Sequence, residues 1–170
     1  MKKHSGMRPH DILVLLKIAA YKHQPWLMKD LAHDLGISAS EISESVNRSM
    51  QAALLSPDKK SLMRRALLEF LQHGLPYVFP QKPGALVRGI PTAHSAPPLK
   101  ALIQSDENYV WPFSKGTVRG QSIEPLYRSV PKAIQKDSLL YEMLALVDAL
   151  RVGKTREREM AANELSKRVA

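Results

Sequence analysis

The chain has 170 residues, with 25 lysines and arginines against 16 aspartates and glutamates, a formal net charge of +9. That length suffices for one medium domain, or for a small domain with a second lobe, and the lack of any cysteine excludes disulfides and thiolate metal sites. The longest apolar runs, such as Ile12–Leu16, are far too short to span a bilayer, and the basic start MKKHSGMRPH lacks the apolar stretch of a secretion signal, so a soluble cytoplasmic protein without a membrane partner is expected.

The basic excess fits a polyanion partner, because neutralising phosphates releases condensed counterions. Ribosome-associated and simply soluble proteins reach similar charges, so the motifs must carry the argument. Residues 1–9 form a polar, basic arm ending at Pro9, for which disorder is the default and contact with a DNA backbone the alternative. From His10 to about Tyr21 the spacing of Ile12, Leu15, Leu16, Ile18 and Ala19 predicts a helix, with Pro9 in its first turn and Gln24-Pro25 as its breaker. Trp26 and Leu27 then anchor a short helix over 27–35, with Leu27, Leu31 and Leu35 on one face and the small Ala32 leaving room for a crossing helix. Gly36 ends it, since glycine takes a left-handed position without steric cost. Ile37 reads as a buried plug, Ser38 as an N-cap, and Glu41 as the partner that completes a capping box. Ile42, Val46 and Met50 recur at i, i+4 and i+8 and give the core face of a third helix, from Ser38 to about Leu54.

Two helices joined by a tight glycine turn, the second capped by serine, make the helix-turn-helix pattern. On Ala32, Gly36, Ile37, Ile42, Val46 and Asn47-Arg48, the stretch LAHDLGISASEISESVNR resembles the recognition unit of bacterial winged helix-turn-helix regulators of the MarR-like kind. The resemblance is confined to Leu27–Met50, with helical context reaching about residue 75. It implies a support, scaffold and recognition helix in that order, a wing directly after the recognition helix, and a homodimer on two-fold related half-sites of double-stranded DNA. The competing reading is a helical hairpin in an ordinary core.

On the outward face of the third helix lie Ser38, Ala39, Ser40, Ser43, Glu44, Asn47, Arg48 and Gln51. Short side chains at its start allow close approach to a major groove; Asn47 and Gln51 suit base edges, and Arg48 suits guanine or phosphate. The alternative for Arg48 is a salt bridge to Glu44 at i−4. Glu41 and Glu44 repel phosphate unless used in the cap or accepting from a cytosine amino group.

Ser56-Pro57-Asp58 predicts a turn, and a helix is expected from about Lys60 to His73, ended by Gly74. Lys59, Lys60, Arg64 and Arg65 at its start oppose the helix dipole, which a nearby anion would relieve; a solvated basic surface is the alternative. Leu75–Phe79 and Ala85–Arg88 flank the Pro/Gly turn at 80–84 and read as a hairpin. As a wing it would bring Lys82 and Arg88 to a phosphate backbone. The intervening helix departs from the family pattern, so membership of a second lobe stays open. The candidate DNA contacts are Ser38, Ser40, Ser43, Glu44, Asn47, Arg48, Gln51, Lys59, Lys60, Arg64, Lys82 and Arg88.

Most prolines fall between Pro76 and Pro131, and Ile90–Leu99 cannot be a long helix or a central strand. Leu99–Ile103 suits one helical turn and Tyr109–Phe113 an aromatic edge strand, within an ordered segment that wraps the domain. Ser138 then caps a broadly apolar helix through Leu150; Gly153 breaks it, and Thr155–Val169 forms a densely charged second helix. Such a pair suits dimerisation, or packing back on its own domain. The expected fold is therefore mainly α with a small β-hairpin: a winged helix-turn-helix-like domain over 1–90, an irregular Pro-rich segment over 91–135, and a C-terminal helical pair over 136–170.

None of the six histidines has metal-ligand spacing with a helper carboxylate, and the nucleotide-binding and nucleophile-elbow glycine motifs are missing. His94-Ser95 could serve as base and nucleophile, but no carboxylate can be placed beside them. No cofactor or metal is expected, and the reading is a non-enzymatic, sequence-specific, dimeric DNA-binding regulator of transcription. The alternatives are an antitoxin-like adaptor that binds a partner protein, and a small RNA-binding factor using the basic surfaces and the Trp111 region.

Overall fold

The computed structural model describes residues 6–170; the expected arm at 1–9 lies largely outside them. α1 (Pro9–Ala20) starts as its proline suggests, and the Asp11 carboxylate accepts the Arg8 N–H at 2.8 Å. Every residue from His10 to Ala19 is buried, including Leu13 and Val14 outside the expected stripe. A helix apolar all round is a central helix: α3 packs on one part of it and α7 on another, with α2 and α8 alongside.

α2 (Met28–Leu35) buries Leu31 and Leu35. Leu27 precedes the helix as its N-cap residue and is 58% exposed, so it is not the anchor that the periodicity suggested. Gly36 has φ +63°, and the Ile37 N–H reaches back to the Ala32 carbonyl at 3.1 Å, closing the end of the helix. Ile37 is buried. α3 (Ala39–Gln51) is capped by Ser38, whose hydroxyl oxygen accepts the Glu41 N–H. The reciprocal half of the expected box is not made: the Glu41 carboxylate accepts the Ser38 hydroxyl at 3.2 Å instead. Ile42 and Val46 are fully buried, and Ser45 and Ser49 beside them are small enough to let α1 approach closely.

After α3 the chain doubles back. Leu55 and Leu62 form an antiparallel bridge, flanked by Ser56 N–H to Ser61 carbonyl at 2.8 Å and Met63 N–H to Leu54 carbonyl at 2.9 Å. The Asp58 carboxylate accepts from the Ser56 hydroxyl and the Lys60 N–H, which fixes the tip. The next helix, α4 (Arg64–His73), therefore starts later than Lys60, because residues 60–63 are held extended by backbone pairing with 54–56.

The expected 75–79 strand is a helical turn, α5 (Leu75–Val78): Gly74 stays right-handed and Pro76 fits an early helical position, where no N–H is needed. The hairpin expected around residues 80–84 accordingly does not form. β1 (Leu86–Pro91) pairs antiparallel with β2 (Tyr109–Pro112) and with β3 (Val118–Ser122), and β2 runs parallel to β3, so the three strands close on themselves. So tight a closure needs bare backbone. A Cβ on Gly89 would sit 1.9 Å from the Trp111 carbonyl oxygen, and one on Gly116 would sit 2.3 Å from that of Gly89. The Pro-rich stretch between β1 and β2 holds two 3-10 turns, Ala93–Ser95 and Leu99–Ala101.

α6 (Val130–Ala133) leads to α7 (Ser138–Val152), whose cap is Asp137 rather than Ser138: its carboxylate accepts the Leu140 N–H at 2.9 Å. α8 (Thr155–Val169) packs Ala161, Leu165 and Val169 inward, against α7, α4 and α1. The apolar face of α7 is buried within the chain itself, in one core cluster that also takes in α1–α4, Trp111 and α8.

Candidate nucleic-acid interface

The third helix keeps its outward face free. Ser38, Ala39, Ser40, Ser43, Glu44, Asn47 and Gln51 are all exposed. Arg48 is the exception and corrects the helical-wheel placement. Its guanidinium turns under the helix toward α1: Nε donates to Asp11 at 2.9 Å and Nη2 donates to the other carboxylate oxygen at 2.8 Å. The Asp11 side chain is fully buried and that of Arg48 is 10% exposed, so this fork is a tie between helices. The Asp11 hydrogen bonds hold the guanidinium in its charged form, while Glu44, the partner expected from spacing, lies at 3.9 Å. His10 Nε2 sits 3.1 Å from Arg48 Nη2, and burial lowers the His10 pKa. A neutral imidazole then accepts the guanidinium N–H.

The basic residues divide. Lys60 is exposed at the tip of the 54–63 loop, next to the half-buried Lys59. Arg64 is occupied: its guanidinium donates to the Val169 and Lys22 carbonyls, tying the start of α4 to the C-terminal helix. Lys82 is exposed in the connection to β1. Arg88 stands on β1, which packs on β2 and β3, whereas α3 packs on α1 and α2, so Arg88 lies on an element that does not pack closely with α3.

The start of α3 has a neighbour that the sequence did not suggest. The Tyr127 hydroxyl lies 3.5 Å from the Glu41 carboxylate, its ring lies 5.3 Å from that of His10, and Arg128 stands over it at 5.1 Å. Arg128 is exposed. Its signal was only a Tyr-Arg dipeptide in a Pro-rich loop. A second buried arrangement also went unread. Asp148 on α7, 1% exposed, accepts from the Trp111 indole at 2.6 Å, the Thr92 hydroxyl at 2.7 Å and Arg151 Nη1 at 3.1 Å. Burial raises its pKa against the pull of Arg151 and the two donors. This group fastens the small sheet to α7. Its one sequence signal is a lone aspartate in an apolar helix with arginine three residues on.

His94 and Ser95 face apart in function: His94 Nε2 meets the Glu107 carbonyl at 2.8 Å, and Ser95 Oγ accepts the Tyr109 N–H at 2.9 Å. Neither touches a carboxylate. Among the described residues no group of three His, Asp or Glu could hold a metal ion, and no helix is long and apolar enough to cross a membrane. No protein-family model matches the chain, and no curated protein or solved structure matches it either.

Proposed function

We propose that this chain is a sequence-specific DNA-binding regulator of transcription that places α3 in the major groove. The observation that carries the reading is the exposed, short-chained face at the start of a serine-capped helix, set against α2 by a left-handed glycine. Ser40, Ser43, Asn47 and Gln51 are the base-reading candidates, since amide side chains there can pair with adenine edges. Arg48 drops out of that set because both arms of its fork are engaged with Asp11. Glu41 and Glu44 oppose the phosphates less than their number suggests: one is bonded to Ser38 and the other lies near Arg48.

The wing moves with the corrected fold. The resemblance calls for a hairpin directly after the recognition helix, and the bridged 54–63 loop stands there with Lys59 and Lys60 at its tip. We assign it as a minimal wing that contacts the phosphate backbone. A dimer on two-fold half-sites would use a surface other than the α7 face, which the core already covers. The test is selection of the purified protein against a random-sequence duplex library, with enrichment of a defined motif expected. Asn47→Ala and Gln51→Ala should each weaken binding to that motif by about 1–3 kcal/mol. A library that returns no enriched sequence would overturn the reading.

A further inference from the structure

The small sheet carries a basic groove that the helix-turn-helix does not use. Arg88 and Arg119 are register partners across β1 and β3, both exposed, so two guanidinium groups stand on one face directly opposite each other. Like charges in that position repel. Neither guanidinium makes a hydrogen bond or ion pair with a described residue, so no carboxylate there compensates them. They line a cleft of about 500 Å³. It adjoins a second of about 450 Å³, with Thr117 lining both, and there the Lys115 and Lys132 ammonium groups are again exposed and, among the described residues, unpartnered. No acidic side chain lines either cleft. Phe113, half-buried, offers an aromatic surface in the second.

We infer that this groove binds the phosphodiester backbone of a nucleic acid at a site separate from α3. Four uncompensated cations in two adjoining clefts form an electrostatic track, and a phosphate between Arg88 and Arg119 turns their repulsion into a bidentate attraction. Lys132 lies on α6, which packs against α2, so the channel extends from the sheet toward the helix-turn-helix side of the molecule. The occupant is a DNA duplex, the same polyanion proposed for α3. The groove requires neither the base contacts of α3 nor a specific operator.

The test is fluorescence anisotropy with a labelled random-sequence duplex and, separately, a labelled oligo(dT), each over a salt series. Arg88→Gln with Arg119→Gln should lower the salt slope by about 1.8 on the duplex, or about 1.4 on the single strand, if two phosphate contacts are lost. A lower slope on the duplex supports the site; a lower slope on oligo(dT) with the parent slope on the duplex overturns the duplex assignment. Lys115→Gln with Lys132→Gln gives a second, independent reading on the adjoining cleft and should also lower the slope. Asn47→Ala with Gln51→Ala is the control: failure of the α3 reading appears as no enriched motif and leaves the groove variants' effect in place. Parent slopes on both probes, from double variants that melt like the parent, would overturn the inference.

Discussion

Replacing Arg48 with alanine leaves the Asp11 carboxylate with one of its three donors, the Arg8 N–H. Asp11 is fully buried, so water does not replace the lost guanidinium at the carboxylate without local opening. Removing one partner of a buried, hydrogen-bonded pair costs about 3–5 kcal/mol, most of it the desolvation of the charge left behind. Against a typical domain stability of roughly 5–15 kcal/mol that is a large fraction. In a chain of this size it lowers Tm by roughly 6–20 °C, at about 2–4 °C per kcal/mol. Urea unfolding followed by far-UV circular dichroism measures the loss as a shift in midpoint. Arg48→Met with Asp11→Leu, which removes both charges, should recover most of it. The outcome that sinks this reasoning is an Arg48→Ala protein within about 1 kcal/mol of the parent, since that is what an outward-facing, solvated arginine would give.

Gly36→Ala should cost about 1–2 kcal/mol in the same assay, the expense of a left-handed alanine. Its Cβ would meet only Ser129 at 3.7 Å, so a much larger loss would show that crowding, not φ, governs the turn. Asp148→Ala strands the Trp111 indole and the Thr92 hydroxyl, leaves buried Arg151 only its bond to the Phe79 carbonyl, and should lose about 3–5 kcal/mol, with Asp148→Asn markedly milder because it keeps an acceptor; equal losses would contradict the network. Burial pushes the Tyr141 phenol up to about 12 from 10.0, so the folded chain keeps a proton that the unfolded chain has released. That contribution is complete below pH 10 and is lost as pH rises toward 12. Tyr141→Phe should therefore show a shallower alkaline decline in Tm, and identical slopes would refute the assignment.

The first fifty residues could be read in sequence because their signals are local. Pro9, Gly36 and Ser38 act through steric or hydrogen-bonding preferences within a turn of themselves, and the helices end where those residues stand. What escaped is set by partners distant in sequence. Residues 60–63 have no propensity against helix, yet pairing with 54–56 holds them extended. Leu75–Phe79 has strand-forming composition, but Gly74 and Pro76 let the chain continue helically and Leu75 is buried. β1 was found as a strand with the wrong partner, because its true neighbours follow after the Pro-rich turns. Distant partners also decide where the Arg48 and Arg64 side chains end. A wheel projection fixes where Arg48 leaves the helix axis, not where a long side chain ends, and the buried acid on α1 decides that.

The polar groups missed in this way share a geometry that bears on function. Asp11 joins α1 to α3 through Arg48; Lys17 joins α1 to the cap of α7 through Asp137 at 2.6 Å; and Asp148 joins α7 to the sheet through Trp111 and Thr92. Apolar pairs in those places could give equal or greater stability, since burying charge is expensive. What directional bonds add is a fixed rotation of each helix about its own axis, which a greasy contact between smooth helices leaves freer. The face of α3 and the basic groove on the sheet stand at opposite ends of that series of links. Two surfaces that engage one polyanion need a constant spacing between their cations, because each phosphate contact contributes fully only when all are in register. Loosening the middle link with Lys17→Met should therefore leave each surface able to bind its own short probe while reducing the gain in affinity on a duplex long enough to reach both. If long and short duplexes lost affinity in the same proportion, the links would serve folding alone.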